Sequence, residues 1–301
     1  MTVPADDPGQ LPEAAVRRLD EGAFTSGLTV PDFAACLQMG LEPVGFVQGY
    51  CVMQWQWYGA SAMGGGFGYQ WGGVRGYSET FNCPHGMISP EHRSWGQNYE
   101  QSWVEDAWAS GFTSALGRML DEATAMGAHG VVGVVDTSAP LSDLGVVEFT
   151  VQGTAVRVDG GPPPVDGHPW TTYLAGQRLA KLVEAGYAPV SIAAAVASVG
   201  VWANCITQYL TEGAGSLYGG ATPGAEIVQT VKAQTAARQL VTEQIRRQLG
   251  PDSLHGASLT TSRRELGEGD STVECTLRGN RVRRFKDFDP MPAPRPTVRL
   301  L

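Results

Sequence analysis

Basic residues are scarce in this chain: 21 Lys and Arg stand against 30 Asp and Glu, for a net charge of -9. Phosphate binding needs a local excess of cations, so this balance argues against a nucleic-acid surface. The short basic run Arg281, Arg283, Arg284 and Lys286 reads as a solvated strand edge rather than a phosphate clamp. Paired cysteines are also missing. The five thiols, Cys36, Cys51, Cys83, Cys205 and Cys275, are odd in number and scattered, with no Cys-x-x-Cys. That pattern predicts reduced thiols in a cytoplasmic protein. The opening MTVPADDPGQ lacks the basic and apolar regions of a secretory signal. The one long apolar run, VSIAAAVASVGVWA from Val190 to Ala203, is too short and too rich in small residues to span a bilayer, so no membrane span is expected. No Gly-x-x-x-x-Gly-Lys occurs, Gly64 to Gly68 does not fit Gly-x-Gly-x-x-Gly, and Ser61 is not set in Gly-x-Ser-x-Gly. With no nucleophile, base and orienting group in any recognisable motif, the expectation is a protein that is not an enzyme.

What the chain does contain is a repeat. With His129-Gly130 placed over His255-Gly256, Val147-Glu148 falls on Val273-Glu274, Gly153 on Gly279 and Val156-Arg157 on Val282-Arg283, all at an offset of 126. Such constancy is the signature of duplication. Gly40-Leu41-Glu42-Pro43-Val44 answers Gly186-Tyr187-Ala188-Pro189-Val190 at an offset of 146. The first unit therefore carries about 20 extra residues between Val44 and His129.

Each unit reads as a short helix closed by glycine (Gly40 or Gly186), then a strand, a long helix and two further strands. The strands are expected near Val44 to Trp57 and Val190 to Cys205, and the long helices near Trp103 to Met126 and Ala225 to Leu249. Val147, Phe149 and Val151 alternate with polar neighbours, as do Val273, Cys275 and Leu277 in the same phase, so each sheet should have one wet face. Residues 1–30 read as an N-terminal arm with a short helix from Pro12 to Leu19, 31–158 as the first unit, 159–172 as a Pro-rich linker, 173–285 as the second unit and 286–301 as a Pro-rich tail.

The stretch from Ala115 to Val158 resembles the YbjQ-like family, often labelled heavy-metal-binding. A helix ending in Gly127-Ala128, the strand Val131 to Val134 and the closing Gly153 to Val156 carry the resemblance. Unit two keeps a degraded version, HGASLTTS and RGNRVRR, and His129 stands where the family commonly has Asn. The resemblance implies an α+β fold of two tandem β-α-β-β, dodecin-like units, each a small antiparallel sheet packed against a long helix. It also implies five-membered rings, and it brings no mechanism.

Several residues invite a chemical reading. Cys83, His85 and His92 form the one tight cluster of transition-metal ligands, three donors for zinc or a similar ion. Their spacing is not a standard one and unit two does not repeat them, so an exposed loop that merely contains these residues is the favoured reading. No other cofactor is indicated. His129 and His255 fall at helix-to-strand turns, where an imidazole can bond the helix's last carbonyls. Glu148, Glu274, Glu105, Asp106, Asp121 and Glu122 suit wet faces. The insertion QWQWYGASAMGGGFGYQWGGVRGY is the unusual segment, and six of the eight tryptophans lie between Trp55 and Trp108. Trp55, Trp57, Phe67, Tyr69, Trp71 and Tyr77 fit an arm that packs on a neighbouring subunit or on another protein partner.

The expected role is a self-assembling, ring-forming scaffold, with a metal-binding or metal-sensing oligomer as the alternative. Unit one alone has the insertion, which suggests like beside like: five chains in two stacked rings, ahead of three chains alternating their units in one ring.

Overall fold

In the computed structural model, the described residues are 25–54, 76–83, 95–142, 146–158, 168–211 and 224–286. Most of the N-terminal arm, of the aromatic insertion, of the linker and of the C-terminal tail lies outside them. The first half contains α1 (Val30–Gln38), β1 (Leu41–Gln54), β2 (Ser78–Asn82), β3 (Trp95–Glu100), α2 (Ser102–Ala125), β4 (Gly130–Ser142) and β5 (Val146–Val158). The second contains β6 (Trp170–Thr171), α3 (Gly176–Glu184), β7 (Tyr187–Trp202), α4 (Cys205–Thr211), α5 (Val228–Leu249), β8 (Ser253–Gly267) and β9 (Asp270–Arg284). The fold is α+β, and strands predominate. The order short helix, strand, long helix, strand pair occurs twice.

Local chemistry sets these boundaries. Thr29 caps α1 by accepting from the Asp32 amide, Pro31 fits the first turn, and Gly40 follows the helix at φ +75°. Gly186 does the same after α3 at φ +84°. The close approach of α2 to β1 requires Gly49, because a Cβ there would run into the Ala115 carbonyl.

Two sheets form, with orders β1-β5-β4-β6 and β2-β3-β7-β9-β8. In the first, β5 pairs antiparallel with both β1 and β4; in the second, β9 does the same with β7 and β8. Side-chain contacts repeat with the elements. The Gln48 amide donates to Glu122 Oε2 at 2.8 Å; at the equivalent positions Gln248 Nε2 donates to the Ala194 carbonyl at 3.2 Å. The Gly27 amide donates to Thr154 Oγ1 at 3.1 Å, and Tyr173, its equivalent, donates to Asn280 Oδ1 at 2.7 Å.

The halves are interlocked. The hairpin β2-β3 comes from the first half's insertion, yet β3 pairs with β7, Gln97 with Trp202 through Glu100 with Val199. In return β6 pairs parallel with β4, so Trp170 and Thr171, expected in the linker, belong to the first sheet. Two cores meet at β7. Its even-numbered Ile192, Ala194 and Val196 join the core under α2, with Val47, Phe112, Met119 and Phe149. Its odd-numbered Ala193 through Val201 join the core under α5, with Ala237, Val241 and Ile245. Cover on both faces accounts for the unbroken apolar run of this strand. No helix among the described residues is long and apolar enough to cross a membrane.

Candidate functional site

The seam between the halves holds an extended polar network among the described residues. Its centre is Gln229 at the start of α5. The side-chain amide donates to the Trp202 carbonyl at 2.8 Å and to Asn98 Oδ1 at 3.3 Å, and its oxygen accepts from the Asn204 amide and Thr207 Oγ1. Asn98 Nδ2 returns a bond to the Gln229 carbonyl at 2.9 Å. The group is buried and mutually satisfied, as a polar network in a core must be. Around it, Trp95 meets Trp202 edge to face at 4.4 Å, and Lys232 pairs with Glu79 at 2.6 Å while lying over the Phe81 ring. The hairpin of the first half is thereby clasped to the second.

The start of α2 completes the seam. The Gln101 amide donates to the Ser198 carbonyl, Ser198 Oγ bonds Gln101 Oε1 at 2.8 Å, and the Ser198 amide donates to Glu105 Oε1 at 3.2 Å. Gln244 of α5 donates to the other Glu105 oxygen at 2.7 Å. Burial pushes the Glu105 carboxyl up to about 7; Glu100 and Asp106 push the same way, while the Ser198 and Gln244 bonds oppose them. Glu105 sits in a cleft of about 390 Å³ between α2 and α5, with Glu100, Asp106, Glu243 and Arg247 at its walls.

Cys83, expected as a metal ligand, is bonded to Cys205 in a disulfide, and the expectation of reduced thiols is corrected for this pair. The bond ties the end of β2 to the start of α4, across the seam. His85 and His92 lie outside the described residues. Among the described residues no three His, Cys, Asp or Glu side chains are placed to share an ion. Cys36, Cys51 and Cys275 are buried free thiols, and burial, with Asp32 adding to it, pushes Cys36 up to about 11.

Of the aromatic set, Trp55, Trp57, Phe67, Tyr69 and Trp71 lie outside the described residues. Tyr77 is half-buried against the second core, and its hydroxyl donates to Glu79 at 2.9 Å. Burial, then that bond, pushes its pKa up to about 12. The described part of the insertion therefore packs on the same chain's second half, where an arm onto a neighbour was expected.

Other expectations change as well. His129 does not bond helix carbonyls: its Nδ1 accepts from the Val158 amide at 2.9 Å, while the His255 side chain is exposed in β8. Glu122 is 2 % exposed and Glu105 half-buried, so neither is on a wet face. Glu274 is half-buried too, and burial raises its pKa. Arg281 and Arg283 grip Asp252, at 2.6 and 2.9 Å; that carboxylate is 2 % exposed and is held below its ordinary pKa, by Arg283 first. The basic run is thus half structural clamp. Its signal was the spacing of Arg281 and Arg283, which share a strand face.

Of the strands that end the two sheets, β1 and β8 present the long open edges among the described residues. The N-terminal part of β1 is sealed by α2, with Gln48 bonded to Glu122 and the Tyr50 carbonyl to Arg118. Beyond it the edge carries exposed Tyr50 and Val52. At the other end of the molecule β8 is exposed along almost its whole length, with Leu259 outward. Long unprotected edges are templates for pairing with another chain.

No family model matches the chain, and no solved structure matches it. Over 269 residues it is 26 % identical to a protein of Mycobacterium tuberculosis named as an encapsulin nanocompartment protein, a likeness spanning 88 % of this chain and 87 % of that one.

Proposed function

We propose that this chain is a non-enzymatic, self-assembling component of a protein nanocompartment. The observation that carries the reading is the reach of the likeness, which runs through both halves and the seam between them rather than through one module. The open edges of β1 and β8 support it, since they are surfaces that assembly would cover. The seam's polar groups are spent on holding the halves together, which suits a structural role. Each half is proposed to be a YbjQ-like unit on the resemblance of Ala115 to Val158; the repeated Gln48–Glu122 and Ala194–Gln248 contacts support only that the halves are copies of one unit.

Native mass spectrometry and light scattering at micromolar concentration test the proposal. A closed species of several 32.0 kDa chains is expected. A single chain at that concentration overturns it.

A further inference from the structure

The seam inside the chain is a heterologous contact, with different surfaces on its two sides. The first half offers β3 and the start of α2, and the second half receives them on the edge of β7. Because the halves are repeats, the receiving edge recurs at β1 and the offering helix start recurs at α5, one at each end of the molecule, while residues 224–226, the described equivalents of the end of β3, form no strand. On the receiving side, Val52 of β1 stands where Ser198 stands in β7. On the offering side, Ile227 and Val231 at the start of α5 stand where Gln101 and Glu105 stand at the start of α2.

Inside the chain the meeting groups are polar: Ser198 with Gln101 at 2.8 Å and with Glu105 at 3.2 Å. At the ends all three equivalents are apolar, and they lie open. Val52 is 56 % exposed and Val231 40 %, with Ile227 half-exposed beside the 52 % exposed Val228. A polar set has been exchanged for an apolar set on both sides together, which is what two surfaces that touch require.

A second pair of surfaces agrees in direction. Inside the chain, the segment before α3 lies along β4: the Thr172 amide donates to Val131, and the Val134 and Gly133 amides donate to Thr172 and Leu174. The equivalents are Ser26 and Leu28, before α1, and the β8 edge at Ala257, Thr260 and Leu259. That edge is exposed, and Leu259 is 38 % exposed. If the second half of one chain met the first half of the next, both end pairs would be used at once.

We propose that the partner for these surfaces is a second copy of this chain, docked head to tail so that Ile227 and Val231 of one copy cover the Val52 edge of the next while β8 receives the segment around Ser26 to Leu28. Halves then alternate around a closed assembly. This contact mode rests on the self-assembly reading above, and it replaces the stacking of like halves expected from the sequence. Unlike already sits beside unlike within the chain.

The test uses two variants of the full chain, Val52→Arg and Val231→Arg. Both sites are solvent-exposed in the single chain, so circular dichroism is expected to match the parent. Each variant alone should run as one chain in native mass spectrometry, because one docking surface is blocked. An equimolar mixture should give a two-chain species and nothing larger, since each variant keeps the surface that the other has lost. Either variant retaining the parent's assembled mass overturns this contact alone, as does a mixture that stays single-chain. A parent that is itself a single chain overturns the self-assembly reading with it.

Discussion

The disulfide between Cys83 and Cys205 closes a loop with a sequence separation of 122, enclosing the whole of α2, β4, β5, α3 and β7. Cross-linking so long a loop removes a large share of the unfolded chain's freedom. Loop-closure entropy scales as the logarithm of loop length, and for about 120 residues it amounts to about 5 kcal/mol at 25 °C as an upper figure. Compact denatured chains lower the amount realised. Replacing both cysteines by serine, or reducing the bond, should therefore lower stability by about 3–5 kcal/mol. With an unfolding entropy of roughly 0.6 kcal/mol/K for a chain of this size, the melting temperature falls by about 5–8 °C. Urea unfolding with and without reductant measures the loss. The serine double variant should match the reduced parent and be indifferent to reductant. Thiol titration of the denatured, unreduced parent should find three free thiols, from Cys36, Cys51 and Cys275. Five titratable thiols, or equal urea midpoints for parent and double variant, would refute the reasoning.

Two further expectations concern the seam. Gln229→Ala strips partners from the Asn204 amide, the Trp202 carbonyl, Thr207 and Asn98 together, and should cost about 3 kcal/mol in chemical denaturation; a loss below about 1 kcal/mol would show that the network is not holding the halves. Glu105 binds its proton more tightly folded than unfolded, where it titrates near 4.5, so on its account stability falls as pH rises from there to about 7 and levels off above. Glu105→Gln keeps an acceptor for Ser198 and removes that slope, so its melting temperature should gain on the parent's between about pH 5 and about pH 8; parallel curves would remove Glu105 as the cause.

The duplication was legible because its offset survives across β4, β5, β8 and β9, where alternation and glycines fix every position. The long helices, β1, β7 and the two closing strand pairs followed from it to within a few residues, while β2, β3 and β6 did not. Glu122 was misread as solvent-facing, although it sits three residues after Met119 and beside Ala123, on the apolar face of α2, and that spacing held the signal. Cys83 with Cys205 had no local signal at all, since only the folded chain brings positions so distant in sequence together. Nor does periodicity say which element covers a strand. The apolar run of β7 announced burial on both faces, but not that the two covers would come from different copies of the repeat.

That shared strand has a consequence for how the molecule comes apart. Where duplicated domains each hold a closed interior of their own, one can melt while the other stands. Here neither interior is complete without β7, since successive residues of that one strand point alternately into each. Losing β7 opens both together, and stepping along it one residue at a time moves a substitution from one interior to the other. Two copies in the sequence are therefore expected to unfold as a single cooperative unit. Calorimetry should show one melting transition for the two copies, where two independent copies would give two.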